Sequence, residues 1–256
     1  VTEGERLDIA VAAAGLARSR SEAAALIRSG AITVDGRVIN KPAAIVTAAA
    51  ELAGHGERWV SRAALKLTGA LDALDLTVGG RALDAGASTG GFSQVLLRRG
   101  CTEVYAVDVG HGQLAEPVRG DHRVHNLEGL HLRDLTVADL GAPVDQAVAD
   151  VSFISLTKVL APILRVVDPA GWALLLVKPQ FELGRAALDK HGVVTDPDAH
   201  RRAVDGVVAT GVGLGWRHAA TVPSELVGTH GNREYFVHLL GPRHPDGRGA
   251  EPGGTP

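Results

Sequence analysis

The sequence predicts an α/β protein, a mainly parallel sheet with an antiparallel last strand, preceded by a small α+β module. Three observations predict it. From Ser61 onward, strand-like and helix-like segments alternate, the strand segments are apolar along most of their length, and a glycine-rich turn joins the first of them to a helix. Alternation of this kind means a parallel sheet covered on both faces. The length of 256 residues allows one to two domains, and 45% apolar with 21% charged residues is ordinary globular usage. A core of normal size is therefore available.

Residues 1–53 read as a module of their own. Ser19-x-x-Glu22 has capping-box spacing just ahead of Ala23–Ile27, and Gly30 ends that helix. Ile32–Val34 and Arg37–Ile39 read as two short strands around an Asp35-Gly36 turn of type I′. Lys41-Pro42 closes the hairpin unit, and residues 54–60 read as a linker. Ser61 can cap a helix whose Ala64, Leu67, Leu71 and Leu74 form an apolar stripe. Strands are then predicted at 81–85, 103–108, 123–127, 145–150, 172–178, 217–222 and 234–240, with helices at 91–99, 155–166 and 197–210. The last two strands have no helix between them, so they can pair antiparallel at a sheet edge. The second domain is thus 61–240. The tail, 241–256, holds nine Gly or Pro among 16 residues and is expected to be disordered.

Composition removes several functional classes. The one cysteine, Cys101, allows neither an intrachain disulfide nor a cysteine-based metal cage, and no metal is expected. No apolar stretch approaches the roughly 20 residues of a membrane span, and Val1–Glu5 has no apolar leader. The expectation is a monomeric cytoplasmic protein without membrane contact. A net charge of −3 gives no basic footprint over the whole chain. Only five of the 26 basic residues are lysines, which draws attention to each of them.

The chemistry concentrates in two places. Leu83-Asp84-Ala-Gly86-Ala-Ser88-Thr-Gly90-Gly91-Phe92 lies between a strand and a helix. Glycines there let a ligand approach the backbone and leave helix N-terminal amides free. The spacing is neither the dinucleotide fingerprint nor a P-loop. Asp84 precedes the first glycine, and Asp108 ends the next strand, where a carboxylate can accept both ribose hydroxyls of a nucleoside cofactor. The combination resembles the S-adenosylmethionine turn of class I methyltransferases. The predicted cofactor set is Asp84, Gly86, Ser88, Gly90, Gly91, Phe92, Asp108 and Asp150. Second, ligands of open α/β sheets bind beyond the carboxyl ends of the parallel strands. Asp150 and Lys178 end two such strands. Glu234 begins the last strand, whose start lies at the same edge if it runs antiparallel. Lys66 lies four residues after Arg62 on the preceding helix. Two cations at that spacing repel, which suits a site that faces an anion.

Here the sequence resembles a family. Ser61–Leu67, Leu83–Phe92, Val148–Phe153, Val177–Phe181 and Gly231–Phe236 are similar to the motifs of the TlyA family, FtsJ-like ribose 2′-O-methyltransferases of ribosomal RNA. Arg6-Leu-Asp8 and Gly15 through Pro42 resemble the family's small N-terminal RNA-binding domain, of the type named after ribosomal protein S4. The resemblance covers about residues 5–240, with five separated motifs in the family's order. It implies a class I methyltransferase fold, S-adenosylmethionine as cofactor and ribosomal subunits as partner. The implied reaction is 2′-O-methylation of cytidine in large-subunit RNA, with small-subunit RNA as a further candidate. It places Lys66, Asp150, Lys178 and Glu234 on the family's catalytic tetrad. In that set Lys178 is the expected base, tuned by desolvation and a second cation. Asp150 orients it, and Lys66 and Glu234 position the ribose and its phosphate. The RNA-binding candidates are Arg6, Arg18, Arg20, Arg28, Arg37, Lys41 and Arg62, with Arg18 and Arg20 foremost.

The chain departs from the family at three places. Glu57 stands in Glu57-Arg58-Trp59-Val60 where the family has an arginine, Glu128-Gly-Leu130-His131-Leu-Arg133 replaces a Thr-Asn pair, and Ala63 replaces a glycine. The competing readings are a ribosome-binding assembly factor with a vestigial cofactor site, a small-molecule methyltransferase, and the pore-forming role implied by the name haemolysin given to some family members. The complete tetrad and the Gly90-Gly91 turn oppose the first, the N-terminal module the second, and the lack of a spanning segment the third.

Overall fold

A computed structural model describes residues 4–17, 19–28, 30–54, 59–228 and 231–245. Arg18, Glu57 with most of the expected linker, and residues 246–256 of the tail lie outside the described residues. The chain divides into two compact units, Val1–Leu65 and Lys66–Pro256.

The first unit contains strand β1 (Glu5–Arg6), helices α1 (Leu7–Ala13) and α2 (Arg20–Arg28), and strands β2 (Ile32–Val34), β3 (Arg37–Val38), β4 (Ile45–Val46) and β5 (Leu52–Gly54). The predicted helix, hairpin and turn are present. Ser19 Oγ accepts the Glu22 N–H at 3.1 Å. Asp35 and Gly36 both adopt positive φ, 50° and 74°, as a type I′ turn requires. Four elements went unread. Helix α1 starts from Arg6, which makes no side-chain cap bond, so the usual start signal is missing. Strands β1 and β4 are two residues each and pair with one another. Strand β5 adds to β2, pairing Val34 with Leu52 and Ile32 with Gly54, so Gly54 belongs to a sheet and not to the linker. Leu7, Val11, Ala23, Ile27 and Ile32 form the unit's core.

Helix α3 (Ala63–Ala73) leads into the second unit and buries Ala64, Leu67 and Leu71. There follow β6 (Gly80–Ala85), α4 (Gly91–Arg98), β7 (Cys101–Asp108), α5 (Glu116–Arg119), β8 (Val124–Glu128), α6 (Val137–Leu140) and β9 (Val144–Ala149). Next come α7 (Leu160–Arg165), β10 (Val167–Val177), α8 (Pro179–Glu182), α9 (Pro197–Gly213), β11 (Arg217–Pro223) and β12 (Tyr235–Leu240). One seven-stranded sheet results, in the order β11-β12-β10-β9-β6-β7-β8. Pairs from β10 to β8 are parallel, and β12 runs antiparallel to both β10 and β11. Alternate residues of a strand face opposite sides. Leu83 and Ala85 are buried on one side, Ala82 and Asp84 on the other, so helices cover both.

The seven predicted strands and the three helices after them are all found, with shifted ends. Strand β10 begins at Val167 and bulges between Val167 and Trp172, where Asp168-Pro-Ala-Gly171 interrupts the pairing. The helix predicted at 155–166 is a 3₁₀ turn, Leu156–Lys158, followed by α7. Helix α9 has the clearest local signal: the Asp196 side chain accepts the Asp198 N–H at 2.9 Å and Pro197 opens the first turn. Such a cap contributes about 1 kcal/mol.

Candidate active site

The glycine turn has the backbone that its composition demands. After β6 the chain reverses through Gly86 (φ +86°), Ser88 (φ 47°) and Gly90 (φ +89°) before α4 starts. A Cβ on Gly86 would lie 2.6 Å from the Asp150 carbonyl oxygen. A Cβ on Gly90 would lie 2.8 Å from Leu114. Both positions therefore require glycine for space as well as for φ. Asp108 ties the turn to the neighbouring loop: Oδ2 accepts the Ser88 N–H at 2.9 Å and Oδ1 the Gly110 N–H at 2.7 Å. Each carboxylate oxygen still has a lone pair to offer. Glu128, at the end of β8, fixes the far side of that loop. Its Oε1 accepts the Gln113 and Leu114 N–H groups at 2.6 and 3.1 Å, and its Oε2 accepts the Asn126 amide at 3.0 Å. The Asn126 bond, followed by the backbone donors, holds the Glu128 carboxyl down at about 2.

A cleft of about 530 Å³ opens beside the turn. Gly86, Ser88 and Asp108 line it, with His131–Arg133 from the loop after β8 and Asp150–Ile154 from the loop after β9. Half of the predicted cofactor residues are thus on its wall: Gly86, Ser88, Asp108 and Asp150. The other half are not. Asp84, Gly90, Gly91 and Phe92 are buried behind the turn. The Phe92 ring stacks on Phe236 at 6.2 Å, so it supports the turn from the core and does not face the cleft. His131 and Arg133, noted in the sequence only as a departure, are wall residues.

Asp84 is fully buried. Its Oδ2 accepts the Ser93 hydroxyl at 2.6 Å, while its Oδ1 has no partner. Burial raises its carboxyl to about 7, the Ser93 bonds oppose the rise, and the charges of Asp150 and Asp108 add to it. A buried carboxyl oxygen left without a donor is unusual, and it accords with a carboxyl that burial drives toward its neutral form.

The four charged residues form two ion pairs at the carboxyl edge of the sheet. Lys178 Nζ lies 2.6 Å from Asp150 Oδ1, and Lys66 Nζ donates to Glu234 Oε2 at 2.6 Å. Both pairs are shielded, with side chains between 2% and 16% exposed. The register explains the second strand's contribution. Val177 pairs with Tyr235 in the antiparallel β10–β12 ladder, so Lys178 and Glu234 follow on adjacent strands. The expectation that a second cation tunes Lys178 is corrected: the partners of both lysines are carboxylates. The Arg62–Lys66 repulsion likewise loses its force, because Glu234 neutralises Lys66.

Two residues that the sequence reading did not single out complete this edge. The Ser152 hydroxyl accepts from Lys178 Nζ at 2.8 Å. Glu182 accepts the Ser155 hydroxyl at 2.5 Å and the Leu156 N–H at 2.9 Å. Between them Phe153 has φ +65°, is 92% exposed, and sits 5.3 Å from the Phe181 ring. Ser152 carried a signal, since it follows Asp150 by two residues at a strand end. Glu182 carried a misleading one, because a Glu four residues after Lys178 reads as a surface pair.

In the first unit, Asp8 gathers two of the predicted RNA ligands. Asp8 is buried and accepts from Arg6 at 2.8 Å and from Arg20 at 3.1 Å. The Arg6 bond, reinforced by Arg20, holds its carboxyl at about 2. Arg28, Arg37 and Lys41 are exposed, and Arg62 is half-buried.

An open α/β sheet with a glycine turn and lysine–carboxylate pairs at its carboxyl edge defines a methyltransferase class. Residues 59–240 match the FtsJ-like methyltransferase family and residues 5–52 the S4 domain. The chain is 47% identical, over 91% of its length and 89% of the relative's, to the 16S/23S rRNA (cytidine-2′-O)-methyltransferase TlyA of Mycobacterium tuberculosis. It is 36% identical to the 23S rRNA (cytidine-2′-O)-methyltransferase TlyA of Campylobacter jejuni, over 72% of each chain. Among solved structures, a protein described as a hemolysin from Streptococcus thermophilus superposes with a TM-score of 0.71 at 35% identity, covering 96% of this chain and 91% of that one. The chain belongs to the TlyA family of FtsJ-like methyltransferases. Among the described residues, no helix is long and apolar enough to cross a membrane.

Proposed function

We propose that the protein transfers a methyl group from S-adenosylmethionine to the ribose 2′-hydroxyl of a cytidine in ribosomal RNA. The observation that carries this reading is the ion pair of Lys178 with Asp150, a residue on the wall of a cleft that also presents Gly86, Ser88 and Asp108. The residues fit the cofactor. Asp108 offers spare lone pairs to ribose hydroxyls, and Gly86 and Ser88 bring the backbone of the turn to the cleft wall. When bound, S-adenosylmethionine supplies a sulfonium methyl group open to in-line displacement.

The chain's own residues supply position and a proton acceptor. The Lys178–Asp150 pair takes the proton of the attacking 2′-hydroxyl as the oxygen–carbon bond forms and the sulfur–carbon bond breaks. Asp150 and Ser152 fix the direction of Lys178 Nζ. The Lys66–Glu234 pair holds the neighbouring edge for the ribose and its phosphate. Phe153 offers an exposed ring against which a base can stack. The S4 module, with Arg6, Arg20, Arg28, Arg37 and Lys41, holds the RNA. The M. tuberculosis relative's name covers both subunit RNAs, and the C. jejuni relative's name only the large one.

The test is methyl transfer from labelled S-adenosylmethionine to separate, unmodified small and large ribosomal subunits, with mapping of 2′-O-methyl nucleotides. Label on a ribose of either subunit supports the reading and settles its breadth. Cofactor binding with no label on either would replace it with the assembly-factor reading. Lys178→Ala is expected to abolish transfer while cofactor affinity stays within a few-fold, and full activity would remove Lys178 as the base.

A further inference from the structure

We infer that Glu182 is a positioning residue for this reaction, holding the loop after β9 so that Asp150 and Ser152 stay on Lys178. The inference rests on the reading of the Lys178–Asp150 pair as the group that takes the substrate proton. Asp150 is fixed on one side, where its N–H donates to the Ala85 carbonyl at 2.9 Å. Beyond it the chain leaves the sheet. Phe153 then adopts a left-handed φ that a bulky side chain disfavours, with its ring turned outward. Such a conformation persists only where the surroundings hold it.

Helix α8 and its N-cap residue contact that loop at three points. Lys178 is its N-cap residue and reaches Asp150 and Ser152. The Phe181 ring lies 5.3 Å from the Phe153 ring. Glu182, the last residue of α8, grips the far end of the loop through the Ser155 hydroxyl and the Leu156 N–H. The loop is therefore held at both ends by residues four apart on one short helix. Glu182 is largely shielded from water, and burial pushes its carboxyl up against the pull of those bonds. It does not line the cleft, so its influence passes through the loop.

The experiment compares Glu182→Ala, Glu182→Gln and Ser155→Ala in the full-length protein. Glutamine keeps an acceptor for Leu156 and gains a donor for Ser155 Oγ, whereas alanine loses both contacts. Glu182→Ala is expected to lower kcat on ribosomal subunits roughly ten- to a hundredfold, as a small misplacement of reacting groups does. The Kd for S-adenosylmethionine should rise by a smaller factor than kcat falls, because the Gly86, Ser88 and Asp108 wall of the cleft is untouched while the Asp150–Ile154 wall is loosened. Glu182→Gln should recover kcat to within about threefold of the original, and Ser155→Ala should fall between. Amide exchange over residues 152–158 should accelerate in Glu182→Ala and not in Glu182→Gln. Unchanged kcat in Glu182→Ala, unchanged exchange in that segment, or equal loss in the alanine and glutamine variants would each overturn the inference. If the unaltered protein transfers no methyl group, the enzyme reading fails, and the exchange measurement still decides whether Glu182 holds the loop.

Discussion

Individual charged residues in the second unit respond to pH in opposite senses. Asp84 has a carboxyl raised from 3.8 to about 7 in the folded protein, so the folded state holds its proton where the unfolded chain has lost it. Stability from this group is complete below pH 4 and falls as pH rises to 7, by up to about 4 kcal/mol. Asp84→Asn is expected to flatten that slope in urea melts between pH 4 and 7, and an unchanged slope would remove Asp84 as its source. His238 acts in reverse: burial lowers it from 6.5 to about 4, so its contribution is present above pH 6.5 and is lost toward pH 4. The Lys66–Glu234 pair is shielded enough that loss of one partner leaves a buried charge. Glu234→Ala is expected to cost about 3–5 kcal/mol by denaturant unfolding, and Lys66→Met with Glu234→Leu together should cost less.

At the scale of elements, legibility followed the strength of local signals. The central sheet strands were readable because they are apolar runs bounded by turn residues, the more polar edge strands β8 and β11 by their place in the alternation, and α9 because Asp196 and Pro197 announce it. Helix α1 and the strands β1, β4 and β5 lack such signals, whereas the four-residue helices carry caps or a first-turn proline but are too short for an apolar period to show. The site divides in the same way. Gly86, Asp108, Asp150 and Lys178 were readable from their places at strand ends. The inward turn of Phe92 and Asp84 was not, because the sequence cannot say on which side of a tight turn a side chain falls. Ser152 and Glu182 were missed because they act through contacts between two loops. The glycine turn gives a direct check. Gly90→Ala places a Cβ at φ +89° against Leu114 and Val118. It is expected to cost at least about 1–2 kcal/mol and to weaken cofactor binding in calorimetric titration. A variant with unchanged stability would show that the turn relaxes freely.

For the whole molecule, two units divide the proposed work. Deleting residues 1–55 is expected to leave a folded second unit by circular dichroism and to abolish activity on ribosomal subunits, and undiminished activity would end the RNA-binding role of the first unit. Charge in that first unit is locally arranged even though the chain carries only −3 overall: Asp8 neutralises one of two arginines and orients both. Order along the sheet has a further consequence. Strand β12 is the last in sequence, yet it lies between β10 and β11 and supplies Glu234 to a lysine 168 residues upstream. During synthesis, β11 leaves the ribosome with no neighbour to pair with until residue 240 has followed it. A chain made only as far as β11 therefore carries an unfinished sheet edge, and the Lys66–Glu234 pair closes only as β12 inserts.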